Sequence, residues 1–131
     1  MKKINFRAVL SGTVVFLAIY CIHLLVLPML AEAFAKGDKE SWVFALHQFL
    51  GLATCLVSGY VAAVVAGEKG FFYGLGVGVL GTVISGVAAV LWSMTMDAPW
   101  PQLARMPFWA MINGFLAAFA GLLATYSDDA A

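Results

Sequence analysis

Charge is what this chain lacks. Only 11% of its 131 residues are Asp, Glu, Lys or Arg while 63% are hydrophobic, whereas an ordinary soluble domain runs at about 25% charged and about 45–50% apolar. A water-soluble core of this size could not hide so much apolar surface. The formal net charge is zero, so no basic field exists to attract nucleic acid. Cysteine is scarce too: Cys21 and Cys55 have neither C-x-x-C spacing nor a base beside them, which excludes a dithiol motif and leaves them as small apolar side chains. The sequence has no nucleophile paired with a base, no metal-ligand cluster and no catalytic carboxylate pair. The expectation is a non-catalytic protein with no catalytic, cofactor or metal residues.

What is there instead is four apolar runs, over about 7–30, 42–66, 71–95 and 106–126, parted by EAFAKGDKES, GEKG and MDAPWPQLAR. A run of about 20 apolar residues is long enough to cross a bilayer as a helix. Hydrocarbon has no water to satisfy loose backbone groups, so each run must close its hydrogen bonds internally and the charged or Pro-rich breaks must lie at the surface. The fold class expected is therefore all-α, a polytopic four-helix antiparallel transmembrane bundle occupying 1–131 as a single domain. The first run, after MKKINFR, also has a secretory signal as its rival. A signal's apolar region is about 7–15 residues, and this run exceeds twenty, so a retained helix is expected.

Lys2, Lys3, Arg7 and Lys69 fall on the side of the termini, against Lys36, Lys39 and Arg105 on the other. The positive-inside bias then puts both termini in the cytoplasm of a bacterial inner membrane and the two longer loops outside. Trp42, Trp92, Trp100 and Trp109 all come at the outer boundary in this arrangement, where an indole can bury its ring and keep its N–H wet. They are read as interfacial anchors. In the outer loop, Pro99, Pro101 and Pro107 stiffen the connection, while Trp100, Leu103, Met106 and Phe108 supply apolar contacts for an interfacial anchor or a docking surface. Pro28 lies inside the first run, and membrane helices tolerate proline when neighbouring groups satisfy the freed carbonyl, so EAFAKGDKES can extend that helix beyond the bilayer.

Residues 76–81 read GVGVLG, the spacing of a dinucleotide-binding turn. That fingerprint works only between a strand and a helix in an aqueous βαβ unit, with an acid about 20 positions onward. Here a membrane-boundary turn precedes it and TVISGVAAVLW follows. Read at helical spacing, the glycines form ridges: Gly70, Gly74, Gly78, Thr82 and Gly86 on the third helix, and Gly51, Cys55, Gly59, Ala63 and Gly67 on the second. Lipid tails are as apolar as leucine, so membrane helices associate through close backbone packing, which small residues permit. Two ridges joined by so short a turn predict a tight hairpin between the second and third helices. The fourth helix repeats the theme with Gly114, Ala118, Gly121 and Thr125. The first is bulkier and is expected at the periphery. A faint two-helix repeat, LSGTVV with LGTVI and HQFLGLA with NGFLAAF, would relate the halves about the membrane normal.

No Asp, Glu, Lys or Arg sits in the middle of any run, which argues against an ion-coupled transporter, whose cycle needs an intramembrane ionisable group. The polar groups left at similar depth beneath the outer face are His23, His47, Gln48, Ser93 and Asn113. Three readings are open: interhelical glue at about 0.6 kcal/mol each, a site for a lipid, quinone or other amphiphile, or His23 and His47 as axial ligands of a haem.

The stretch SGYVAAVVAGEKGFFYGLGVGVL resembles the central hairpin of small uncharacterised four-helix bacterial inner-membrane proteins, in which a small-residue helix turns through A-G-x-[KR]-G into a glycine-rich one. The resemblance implies a fold and a bacterial inner membrane, and no activity. Small multidrug transporters share the helix number and length, but their first-helix glutamate has no counterpart beside Tyr20, Cys21 and His23. The role expected is an accessory, scaffold or assembly subunit acting through helix faces on a larger membrane protein or on itself. A carrier or pore handling lipid, quinone or solute through the outer polar pocket is the alternative.

Overall fold

A computed structural model describes residues 3–37, 42–97 and 100–130. It contains four long helices: α1 (Phe6–Ala35), α2 (Trp42–Ala66), α3 (Gly70–Met96) and α4 (Met106–Ala130), with a 3-10 turn over Leu103–Arg105 leading into α4. The described residues are all-helical, and all four helices are long and apolar enough to cross a membrane. At most 33% of any span is buried inside the chain, so the larger share of each apolar surface faces outward, which suits a lipid environment. Lys2, Lys39 and Pro99, which entered the charge count and the outer-loop reading, lie outside the described residues.

Local chemistry sets the helix ends. Asn5 caps α1: its Oδ1 accepts the Ala8 N–H at 3.2 Å, satisfying one of the orphan donors of the first turn. Its own N–H donates to the Tyr73 hydroxyl at 2.8 Å, tying the start of α1 to α3. Helix α1 runs through Pro28 to Ala35, longer than the apolar run alone. Beyond its end the Lys36 ammonium meets Glu32 at 2.7 Å, fully in the open, an arrangement worth little. The turn from α2 to α3 takes three residues. Gly67, at φ 71, closes α2 and Lys69, at φ 51, opens α3; the Lys69 carbonyl accepts the N–H groups of Phe72 and Tyr73 at 3.0 and 3.2 Å. The left-handed conformation is easy for glycine, so Gly67 serves the turn and not the packing ridge assigned to it. A Cβ there would meet nothing within 4 Å.

The glycine ridges do pack, against a different partner from the one their shared turn suggests. A Cβ at Gly59 on α2 or at Gly74 on α3 would overlap the same carbonyl, that of Ala117 on α4. One at Gly70 would overlap the carbonyl of Gly121, and one at Gly78 would lie 2.7 Å from the Gly114 α-carbon. Helix α4 therefore lies in a groove between α2 and α3, with its own small face inward. Adjacency in the chain makes α2 and α3 antiparallel, but three small faces are brought closest together when the third helix sits between them. Ala63, Ala117 and Ala118 are each fully buried at this junction.

Helix α1 is not peripheral along its first half. Its Gly12 is close enough that a Cβ would lie 2.8 Å from Ala62 and from Val77, and the Phe16 ring covers Gly81. Phe16, Cys55, Ala62 and Val77 make the buried core, with Leu17, Tyr20, Tyr73 and Leu116 around it. One small residue on α1 suffices because the space for its bulk is supplied by α3. Its other face stays open, with Leu10, Val14 and Leu25 more than half exposed. Several hydroxyls in the spans are satisfied within their own helices: Thr54 donates to Leu50, Thr82 to Gly78 and Ser85 to Gly81, each at 2.7 Å, whereas the Thr13 hydroxyl on α1 is buried with no partner among the described residues.

Candidate ligand cleft

At the end of the bundle opposite the termini, the helices part around a cleft of about 580 Å³. Its first wall is an aromatic ladder on α1. Phe16, Tyr20 and His23 recur at i, i+4 and i+7 and so share one helix face, with ring centroids 6.4 and 5.9 Å apart. His23 then meets His47 of α2 edge to face, at 4.2 Å between centroids and 84° between planes. Gly51, one turn along α2 from His47, makes room for this. A Cβ there would stand 3.4 Å from His23 Cε1.

The opposite wall comes from α3 and α4. Asn113 donates through Nδ2 to Thr82 Oγ1 at 2.9 Å, and the Thr82 hydroxyl in turn donates a hydrogen bond to the Gly78 carbonyl. This relay joins the two helices and leaves the Asn113 carbonyl oxygen for other donors. Gly86 admits the Met106 side chain, whose methyl fills the notch where a Cβ would be. At the mouth stand Gln102, Arg105 and Trp109, and Arg105 is the one charged residue lining the cleft among those described. The lining combines apolar walls (Phe16, Leu52, Ile112, Leu116) with a few polar groups that face one another, the usual make-up of a small-molecule site. His47 Nδ1 is buried with no hydrogen-bond partner among the described residues, and a buried polar atom left unpaired is costly.

Of the five polar residues picked from sequence, His23, His47, Gln48 and Asn113 line this one cleft. Ser93 does not. It is buried on α3 and its Oγ donates to the Ala89 carbonyl at 2.9 Å. Sequence reasoning missed Tyr20, Ser85 and Arg105. Tyr20 is findable, since it lies three residues before His23 on the same helix face; Arg105 reads from sequence only as a loop charge. The haem reading fails on geometry: with their rings in direct contact, His23 and His47 leave no space for a porphyrin plane between them. Among the described residues there is no group of three or more His, Cys, Asp or Glu able to hold a metal ion. The four tryptophans lie at the same end as the cleft and are each half or more exposed; Trp109 also serves as a cleft wall.

Three of the four spans, most of the fourth (Leu103–Ser127) and the whole cleft lining fall within residues 5–121, the stretch matched by the model of a family described as "Protein of unknown function (DUF3792)". The chain belongs to the DUF3792 family. The match reaches well beyond the central hairpin, taking in the Asn5 cap, the aromatic ladder of α1 and the Ala117 junction of α4. No curated protein and no solved structure matches this DUF3792 member.

Proposed function

We propose that the protein is a non-catalytic integral membrane protein that binds one amphiphile, a lipid or a quinone, in the cleft between its helices. The observation that carries the reading is the convergence of His23, His47, Gln48 and Asn113 from three different helices on one hollow of about 580 Å³. Four neutral polar groups scattered as interhelical glue would each need a partner across a helix. Among the described residues only Asn113 has such a bond, to Thr82, while His47 Nδ1 has none. A ligand carrying a hydrogen-bonding head and an apolar tail uses both halves of the lining. Arg105 at the mouth favours a head with negative charge or strong acceptors. With both termini cytoplasmic in a bacterial inner membrane, the cleft would open toward the outer leaflet.

An accessory or scaffold subunit acting through helix faces needs no polar hollow, so the cleft favours ligand binding over that role. The experiment is purification in mild detergent with mass spectrometry of what is retained. About one amphiphile per chain, lost on filling the cleft by Ala89→Phe, is the expected result. A stoichiometric larger protein partner, with no amphiphile changed by Ala89→Phe, would return the accessory reading.

A further inference from the structure

The helical glycines of this chain have a packing reason inside it, with one exception. A Cβ at any other of them would meet protein atoms within 4 Å, but a Cβ at Gly76 would meet none. Glycine is among the poorest helix formers, and in a membrane span it is normally repaid by a close neighbour. Gly76 instead lies in the floor of a second groove, of about 460 Å³, at the membrane boundary that holds both termini. Ile4 and Val9 form one side of it, and Phe72 and Tyr73 the other. The Tyr73 hydroxyl is already engaged by the Asn5 N–H, which fixes that side. Lys3, Lys69 and Glu68 stand at the groove's headgroup end, two ammonium groups against one carboxylate.

We propose that this groove binds an anionic phospholipid, one acyl chain running over Gly76 beside Phe72 and the phosphate meeting Lys3 and Lys69. The chemistry of each part matches. The floor without a side chain gives a straight alkyl chain the contact that the protein itself does not make there. The two lysines lie where the phosphates of that leaflet lie, and long cationic side chains reach that level readily. Basic pockets between helices at this depth select anionic headgroups. This site is separate from the cleft at the other end and does not depend on what the cleft holds.

Native mass spectrometry of the full chain in mild detergent, titrated with phosphatidylglycerol or phosphatidylcholine of matched acyl chains, tests it. The wild type is expected to retain one phosphatidylglycerol roughly 25-fold more strongly than phosphatidylcholine, on the order of fivefold coming from each lysine. The double variant K3Q/K69Q should lose that preference while still holding phosphatidylcholine. G76L should fill the groove and lose the bound lipid with its thermal unfolding unchanged, because open space surrounds that position. A89F, in the cleft, should leave the preference intact. Equal retention of the two lipids by the wild type would overturn the proposal. So would a preference that survives both K3Q/K69Q and G76L, or displacement of the lipid by millimolar glycerol phosphate alone.

Discussion

Gly70 and Gly121 face each other so closely that a Cβ on either would overlap the carbonyl oxygen of the other. The relation is reciprocal, and it repeats one turn further in, where the Ala117 carbonyl sits against both Gly59 and Gly74. Backbones at this distance exchange Cα–H···O contacts and dispersion along their length. In lipid, where hiding apolar side chains gains little, such contact is the main force between helices.

Substitution along α3 should therefore split into two classes. Gly74→Leu drives a side chain into the α4 backbone and should cost about 3 kcal/mol or more, since overpacking a dense interior typically costs 1–3 kcal/mol. Gly76→Leu, two residues on and facing open space, should leave stability unchanged or slightly raised through better helix propensity. Reversible unfolding in mixed micelles, followed by circular dichroism, reads the difference. Equal losses at both positions would remove α4 from its groove.

The Asn113–Thr82 hydrogen bond, 2.9 Å long between α4 and α3, is open to a double-mutant cycle with Asn113→Leu and Thr82→Val. The coupling should be about 0.6 kcal/mol, the average for such bonds between membrane helices. A coupling indistinguishable from zero would mean that the pair does not form in the bilayer.

At the other end, Asn5→Ala removes both the cap on Ala8 and a small side chain's reach toward the Val65 carbonyl, 3.5 Å away. A lost N-cap costs about 1 kcal/mol. Tyr73→Phe should cost about 0.5–1.5 kcal/mol, since it leaves the Asn5 N–H without its acceptor. Amide hydrogen exchange over residues 6–9 is the local readout, and protection there should fall in both variants while that of α4 does not change.

In the cleft, Gly51→Leu needs no change to any polar residue. A Cβ there would already touch the His23 ring, 3.4 Å from Cε1, so the branched end of a leucine should crowd that ring away from His47. Retention of the copurified amphiphile should drop by the same factor as in His47→Leu, and the double variant should lose no more. Additive losses would mean that the two histidines do not act together.

Much of the architecture was legible from residues alone. Runs such as 42–66 and 71–95 are too long and too apolar for any environment but a bilayer, and helix hydrogen bonding is local, so a span can be read from its own letters. The glycine ridges were legible as surfaces of close approach for the same reason, since spacing by four marks one helix face. Which face meets which was not. A leucine that touches lipid and one that touches a neighbouring helix look alike in sequence, and Gly59 and Gly74 carry no mark of the shared Ala117 carbonyl between them.

The candidate cleft divides the same way. Depth along a helix can be counted, so His23, His47, Gln48 and Asn113 could be put on one level. Ser93 had the same depth but the wrong azimuth, and that angle depends on how each helix is rotated against its neighbours. What the sequence by itself determined was the solvent, the number of crossings and the faces bare of side chains, because each follows from short-range covalent and hydrogen-bond geometry. The tertiary structure alone decided that α4 fills the groove between α2 and α3, that two imidazoles touch, and that Gly76 looks outward. Each of these depends on how separate helices are turned toward one another, and packing between chain-distant surfaces sets that rotation.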